Sequence, residues 1–140
     1  MAHMMKMTRA VTGHMFNHYG RSDIIDGDNY VPRSNENINP ELTGLNYNLA
    51  YSDQPQEQLD FLRQRLSEIK VQNRKDVNVM VDWVVTLPQA FDGDEQDFFQ
   101  EAYRFLNDRY GKENVISAYV HMDETTPHMH YAFVPVVEDK

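Results

Sequence analysis

Residues 121–130 read HMDETTPHMH and place three histidines and two acids within ten positions. The segments on both sides, VISAYV at 115–120 and MHYAFV at 129–134, are rich in β-branched and aromatic residues, which favours strands. The DETTP run at 123–127 has the composition of a turn. The stretch therefore predicts a β-hairpin in which one histidine closes the first strand and two open the second.

The three hairpin histidines are candidate metal ligands. His128 and His130 are two residues apart and share one face of a strand, and the hairpin can bring His121 alongside them. Three converging imidazoles suit a divalent metal with open coordination positions, and Glu124 in the turn could add a carboxylate. A bare His-x-His pair is more often an ordinary strand feature, but the third histidine and the acidic turn favour a metal site.

The composition predicts one domain with a hydrophobic core, since the chain has 140 residues and is 41% hydrophobic. No apolar run approaches a membrane span, no signal-peptide pattern opens the chain, and cysteine is absent, so we expect a cytoplasmic protein without disulfides. Residues 1–4 (MAHM) look like a tag remnant, which assigns the domain to residues 5–140. The net charge of −9 argues against non-specific nucleic-acid binding, although a local basic patch remains compatible with it.

The N-terminal segment predicts a short strand at residues 6–11 that ends near Gly13. His18 and Arg21 follow and would share a face if this segment is helical. A neutral imidazole beside a guanidinium could serve phosphoryl transfer as a nucleophile or base with a charge clamp. On spacing alone, however, a polar loop with an incidental histidine and arginine is the favoured interpretation.

The middle of the chain predicts two packing helices and one secure strand. The first helix should begin at residues 52–55 (SDQP) and the second at 92–95 (DGDE), with Gly111 as its stop. Residues 77–87 alternate strictly, with one continuous apolar face from Val77 to Leu87 that should pack on the helices. Asp82 is the sole charge within that strand and needs a partner, for which a histidine is suited. Arg74 and Lys75, just before the strand, are candidate phosphate contacts.

The histidine motif closely resembles the metal motif of MobV-type (Pre/Mob) plasmid mobilisation relaxases, which are His-hydrophobic-His (HUH) endonucleases. His18-x-x-Arg21 resembles a second family motif, and residues 37–47 (NINPELTGLNY) resemble a third. Leu42 stands where the family usually has arginine, which puts one DNA contact in doubt. The resemblance runs from about Thr8 to Val137.

The order of predicted elements (strand, long loop, helix, strand, helix, hairpin) indicates an α+β sandwich, an antiparallel sheet with the helices packed on one face. The resemblance implies the relaxase fold, in which an antiparallel sheet is flanked by helices. It implies metal-dependent, strand-specific nicking of DNA at a transfer origin by transesterification, with a covalent protein–DNA intermediate. Mn²⁺ is the first choice of metal, with Mg²⁺ or Zn²⁺ as alternatives. Family members continue past this chain, so we expect a domain truncated at its C-terminus, and a dimer through the missing region is left open.

The resemblance also implies roles for individual residues. His18 would be the nucleophile, oriented by Asp82, while Arg21 steadies the phosphate. A metal would be held by His121, His128 and His130, with Glu124 near it. Asn46 and Tyr47 would contact the DNA or support the metal site.

Several alternatives stay open from sequence alone. His14, Tyr19 and Tyr47 are rival nucleophiles. The missing arginine at Leu42 would suit a metal-binding DNA-recognition module without nicking activity. The acidic net charge would suit a metal-dependent hydrolase of small molecules, which predicts no DNA binding.

Overall fold

The computed structural model describes residues 2–20, 44–69, 77–88, 90–123 and 126–136. Within them, the main elements in chain order are β1 (Ala2–Thr8), α1 (Arg9–Gly20), β2 (Tyr47–Asn48), α2 (Gln58–Glu68), β3 (Asn78–Thr86), α3 (Glu95–Tyr110), β4 (Val115–His121) and β5 (His128–Phe133). The five strands form one antiparallel sheet in the order β1-β3-β5-β4-β2. The predicted α+β class and the histidine hairpin are confirmed. None of the helices in these ranges is long and apolar enough to cross a membrane.

Helices cover both faces of the sheet, so the prediction that all of them pack on one face is wrong. One core contains Phe16 of α1 and Leu62 of α2, together with residues of β3, β4 and β5. The other core contains Phe99 and Tyr103 of α3. The physical reason is that the central strands are buried on both sides, and each apolar face needs its own covering layer.

A bulge in β3 explains why its predicted continuous apolar face is also wrong. Consecutive residues of β1, Met7 and Thr8, pair with Met80 and Asn78, which leaves Val79 as an extra residue. One extra residue moves the alternation to the other face. Val79 therefore packs in the α1/α2 core, whereas Val81 packs in the α3 core.

Two helix boundaries differ from the sequence prediction. Helix α1 begins at Arg9, inside the segment predicted as a strand, and it includes His18, so the favoured interpretation of a polar loop there is wrong. Strand β1 starts earlier than predicted, since Ala2 already pairs with Val85. Residues 2–4, which the sequence predicted to be part of a tag remnant, thus belong to this edge strand. Helix α2 begins after Glu57, whose carboxylate accepts from two backbone amides of the first turn, rather than at residues 52–55.

Helix α3 matches its prediction at both ends. The Asp94 carboxylate caps the N-terminus by accepting hydrogen bonds from the backbone N–H groups of Gln96 and Asp97. Gly111 ends the helix with φ 92°, and its N–H donates to the Asn107 carbonyl. Local capping signals were sufficient here because both capping contacts lie within four residues of the helix end.

Candidate metal centre and catalytic site

The hairpin brings its three histidines together on the sheet face that packs against α1. His121, the last residue of β4, pairs directly with His128, the first residue of β5. His130 follows two residues later and faces the same side. The three ring centroids are 5.0–5.3 Å apart: 5.3 Å for His121–His128, 5.1 Å for His121–His130 and 5.0 Å for His128–His130. The convergence predicted from the spacing is confirmed.

A fourth histidine reaches the same place from α1. His18, half-buried in the last turn of the helix, lies edge-on to the rings of His121 and His130, with both centroid distances 5.3 Å. Among the described residues, the set whose donor atoms all lie within 4.8 Å of one another is His18, His121 and His130. This set shares two members with the predicted ligands and holds His18 in place of His128.

Each hairpin histidine is held by a hydrogen bond from one ring nitrogen. The bonds run from His121 Nε2 to the Tyr19 carbonyl (2.8 Å), from His128 Nδ1 to the Thr126 carbonyl (3.0 Å) and from His130 Nδ1 to Asp82 Oδ2 (2.7 Å). These oxygen acceptors require the ring nitrogen to carry the proton. The other nitrogen of each neutral ring then keeps its lone pair.

This arrangement is the one that metal-binding histidines use. Metal-ligating imidazoles usually donate their second ring N–H to a carbonyl or carboxylate, which fixes both the tautomer and the ring orientation. Among the described residues, His130 Nε2 is buried and has no hydrogen-bond partner, an arrangement that a bound cation would satisfy. The donor set therefore fits a divalent metal with nitrogen ligands.

Asp82 is fully buried, and its hydrogen-bond partners differ from the predicted one. Its Oδ2 accepts hydrogen bonds from His130 Nδ1 at 2.7 Å and from the Tyr19 hydroxyl at 2.9 Å. The predicted partner was His18, which neither bond reaches. The reason is the strand register: Asp82 of β3 lies next to β5, and its short side chain reaches the histidine on that neighbouring strand.

The rival tyrosine nucleophiles are poorly placed for that role. Tyr19 is fully buried, and burial followed by the charge of Asp82 raises the pKa of its hydroxyl. Tyr47 packs with the α3 core, on the sheet face away from the histidines, and burial raises the pKa of its hydroxyl as well. A hydroxyl that resists ionisation is a weak nucleophile. The other rival, His14, is exposed in the middle of α1.

Asn46 supports the hairpin rather than lying open to solvent. Its Oδ1 accepts a hydrogen bond from the backbone N–H of Met122 at 2.6 Å, directly after the candidate ligand His121. A role for Asn46 at the metal site stays a prediction. Contacts of Asn46 or Tyr47 with DNA stay predictions.

Four other predicted site residues lie outside the described residues: Arg21, Arg74, Lys75 and Glu124. Leu42 lies outside them too. Sequence reasoning named Tyr19 only as a rival nucleophile and missed its contacts with the site, which are made by both its hydroxyl and its carbonyl. The signal available was its position next to His18, which is too weak to show either contact.

Comparison with known proteins gives a family and several relatives. The sequence profile of the family described as Mob_Pre, plasmid recombination enzyme, matches residues 1–140. A plasmid recombination enzyme of Streptococcus agalactiae is 32% identical over 147 residues, covering 99% of this chain and 28% of that protein. The plasmid recombination enzyme type 1 of Staphylococcus aureus is 38% identical over 117 residues, covering 76% of this chain. The chain spans about 28% of the length of these curated relatives.

Solved structures that are 33% identical in sequence to this chain have the same fold. The Mn-bound crystal structure at pH 6.8 of the MobM relaxase domain (MOBV; Mob_Pre), bound to plasmid pMV158 oriT DNA, matches with a TM-score of 0.80 and 33% identity. The match covers 100% of this chain and 72% of that one. A second Mn-bound structure of that domain with oriT DNA, at pH 4.6, has a TM-score of 0.79. The similarity therefore includes the whole sheet and the elements that carry the histidines.

Proposed function

The chain belongs to the Mob_Pre family of plasmid recombination enzymes, and from this premise we propose that it carries the catalytic centre of a relaxase that nicks one DNA strand at a transfer origin. The observation that carries the proposal is the contact between His18 and the rings of His121 and His130. It brings a candidate nucleophile to a fixed set of metal-ligand side chains. We expect the reaction in the cytoplasm, on the single-stranded or hairpin DNA of an origin.

His121, His128 and His130 would hold a divalent metal through the ring nitrogens that keep their lone pairs. Mn²⁺ is the first choice because the MobM relaxase domain structures are Mn-bound, and Mg²⁺ or Zn²⁺ are alternatives. When bound, the metal supplies positive charge beside the scissile phosphate. Asp82 contributes by holding His130 in one tautomer and one orientation.

His18 is the proposed nucleophile. Its neutral ring would attack phosphorus, so that a nitrogen–phosphorus bond forms while the bond from phosphorus to one deoxyribose oxygen breaks. This transesterification keeps the phosphate activated for later strand transfer. Arg21 would steady the phosphate oxygens, Glu124 would lie near the metal, and Arg74 and Lys75 would contact the DNA backbone.

The test is trapping of a covalent protein–DNA adduct on denaturing gels with Mn²⁺ and single-stranded DNA carrying the cognate origin. Wild type and His14→Ala should form the adduct, whereas His18→Ala should not. His14 is the matched control because it is a histidine of the same helix that lies exposed. A phosphorus–nitrogen link should also be cleaved by mild acid. An adduct formed by His18→Ala at the wild-type rate would contradict the proposal.

A metal-binding module without nicking activity is the second candidate. The observation in its favour is that His18, rather than His128, completes the set of donor atoms within 4.8 Å. In that case His18 would be a ligand and would not attack phosphorus. Loss of metal affinity in His18→Ala would favour this candidate, and unchanged affinity would favour the relaxase.

A further inference from the structure

Tyr19 contacts two of the proposed metal ligands by different groups. Its backbone carbonyl accepts the hydrogen bond from His121 Nε2, and its hydroxyl donates to Asp82 Oδ2, the oxygen that also accepts from His130 Nδ1. Its ring lies 5.0 Å from the ring of His130. One residue of α1 is thus linked to both β4 and β5 at the metal site.

The Tyr19 hydroxyl donates its hydrogen bond to a carboxylate, that of Asp82, which is fully buried. Among the described residues, Asp82 Oδ1 has no hydrogen-bond partner, so the two donors to Oδ2 provide the hydrogen bonding of this carboxylate. A buried carboxylate that loses a donor is costly and tends to move or to recruit water. Any movement of Asp82 would change the orientation of His130.

We infer that Tyr19 is a positioning residue for the metal site, acting through its hydroxyl on Asp82 and through Asp82 on His130. The inference rests on the proposed metal site and extends it from the ligands to the helix that carries His18. The position next to His18 means that the last turn of α1 orients the ligands as well as presenting the nucleophile. Tyr19 touches neither the metal nor the DNA in this role.

The test compares two tyrosine-to-phenylalanine variants, Tyr19→Phe and Tyr131→Phe. Both residues are fully buried, and Tyr131 donates its hydroxyl to Asn107 Oδ1 at 2.7 Å on the opposite face of the sheet. Each variant removes one buried hydroxyl and keeps the ring, so the packing changes are matched. Only Tyr19→Phe should weaken Mn²⁺ binding, followed by the electron paramagnetic resonance signal of free Mn²⁺ in a titration of metal-stripped protein.

The expected loss for Tyr19→Phe is about three- to tenfold in Mn²⁺ affinity. Direct partners of ligating histidines typically contribute about 10- to 100-fold, and Tyr19 acts one hydrogen bond further out. The visible absorption spectrum of the Co²⁺-loaded protein should change in Tyr19→Phe and stay the same in Tyr131→Phe, since it reports ligand geometry. Thermal unfolding of the metal-free variants checks that both are folded.

A double-mutant cycle tests whether Tyr19 acts through Asp82. Asp82→Asn should lower Mn²⁺ affinity more than Tyr19→Phe does, and adding Tyr19→Phe to Asp82→Asn should cause no further loss. Additive losses, or equal Mn²⁺ affinity in wild type and Tyr19→Phe, would overturn the role of Tyr19 and leave the metal site standing. Wild-type protein that binds no Mn²⁺ would overturn both.

Discussion

Neighbouring residues of β5 face two different environments. His128 and His130 face α1 and lie in a cluster fixed by hydrogen bonds to carbonyl and carboxylate oxygens. Met129 and Tyr131 face α3 and are buried in an apolar core. At this end of β5 the two faces of the strand have different roles: Met129 and Tyr131 contribute to stability through the α3 core, whereas His128 and His130 form a polar cluster that stability alone would not favour. Substitutions on the two faces should therefore affect different measurements.

The largest effect on stability is expected from the α3 face. Tyr131→Ala should lower the free energy of unfolding by about 3–5 kcal/mol, because it removes a fully buried aromatic ring from a core that cannot collapse around the gap. Urea denaturation of the metal-free protein measures this. A loss below about 1 kcal/mol would contradict the contribution assigned to the Tyr131 ring in the α3 core.

The largest effect on metal binding is expected from the α1 face. His128→Ala should lower Mn²⁺ affinity about 100-fold or more through the loss of a ligand, with less than about 1 kcal/mol change in the stability of the metal-free protein, because His128 is half-buried. Met129→Leu, at the next residue on the opposite face, is the control and should leave the affinity unchanged. Equal affinity in His128→Ala and Met129→Leu would remove the distinction between the faces.

Alkaline pH should reduce the contribution of the α3 core to the free energy of unfolding. Burial raises the pKa of Tyr131 and of Tyr103 above the ordinary value of 10.0, and Tyr103 also donates its hydroxyl to Asp53 Oδ2. Both hydroxyls ionise near that value in the unfolded chain but stay neutral to higher pH in the folded protein. Their contribution is therefore complete below about pH 10 and is lost above it, by up to about 1.4 kcal/mol per pH unit for each tyrosine. Urea denaturation at increasing pH measures the slope, which Tyr131→Phe should reduce; an unchanged slope would contradict the assignment.

Two glycine substitutions should give the smallest effects and opposite signs. A Cβ at Gly13 in α1 meets nothing within 4 Å, so Gly13→Ala should raise the free energy of unfolding by about 0.5–1 kcal/mol. Gly111 ends α3 with φ +92°, where a Cβ would lie 2.6 Å from Glu113 Oε1, so Gly111→Ala should lower it by about 1 kcal/mol or more. Thermal unfolding compares them, and the same sign for both would contradict these backbone assignments. Neither should change Mn²⁺ affinity.

The features predictable from sequence were those with local causes. The hairpin follows from strand composition on both sides of a turn, and it alone brings His121, His128 and His130 together. The boundaries of α3 follow from Asp94 and Gly111, whose capping contacts lie within four residues.

The features that sequence could not supply depend on distant contacts. The Tyr19–Asp82 bond joins residues 63 positions apart, and the Tyr19–His121 bond spans 102 positions. The bulge at Val79 arises from the pairing with β1, and it redirects residues that strict alternation places on one face. The partner of Asp82 was mistaken for the same reason, since strand order decides which histidine lies within reach.

The proposed roles of the histidines are tested most directly by an Mn²⁺ titration of metal-stripped wild type, His18→Ala and His128→Ala, read by the free Mn²⁺ signal. With His18 as the proposed nucleophile and His128 as a proposed ligand, we expect His18→Ala to bind Mn²⁺ with affinity close to wild type and His128→Ala to lose about 100-fold or more. The opposite pattern, with affinity lost in His18→Ala and kept in His128→Ala, would make His18 a ligand and would contradict its proposed role in attacking DNA.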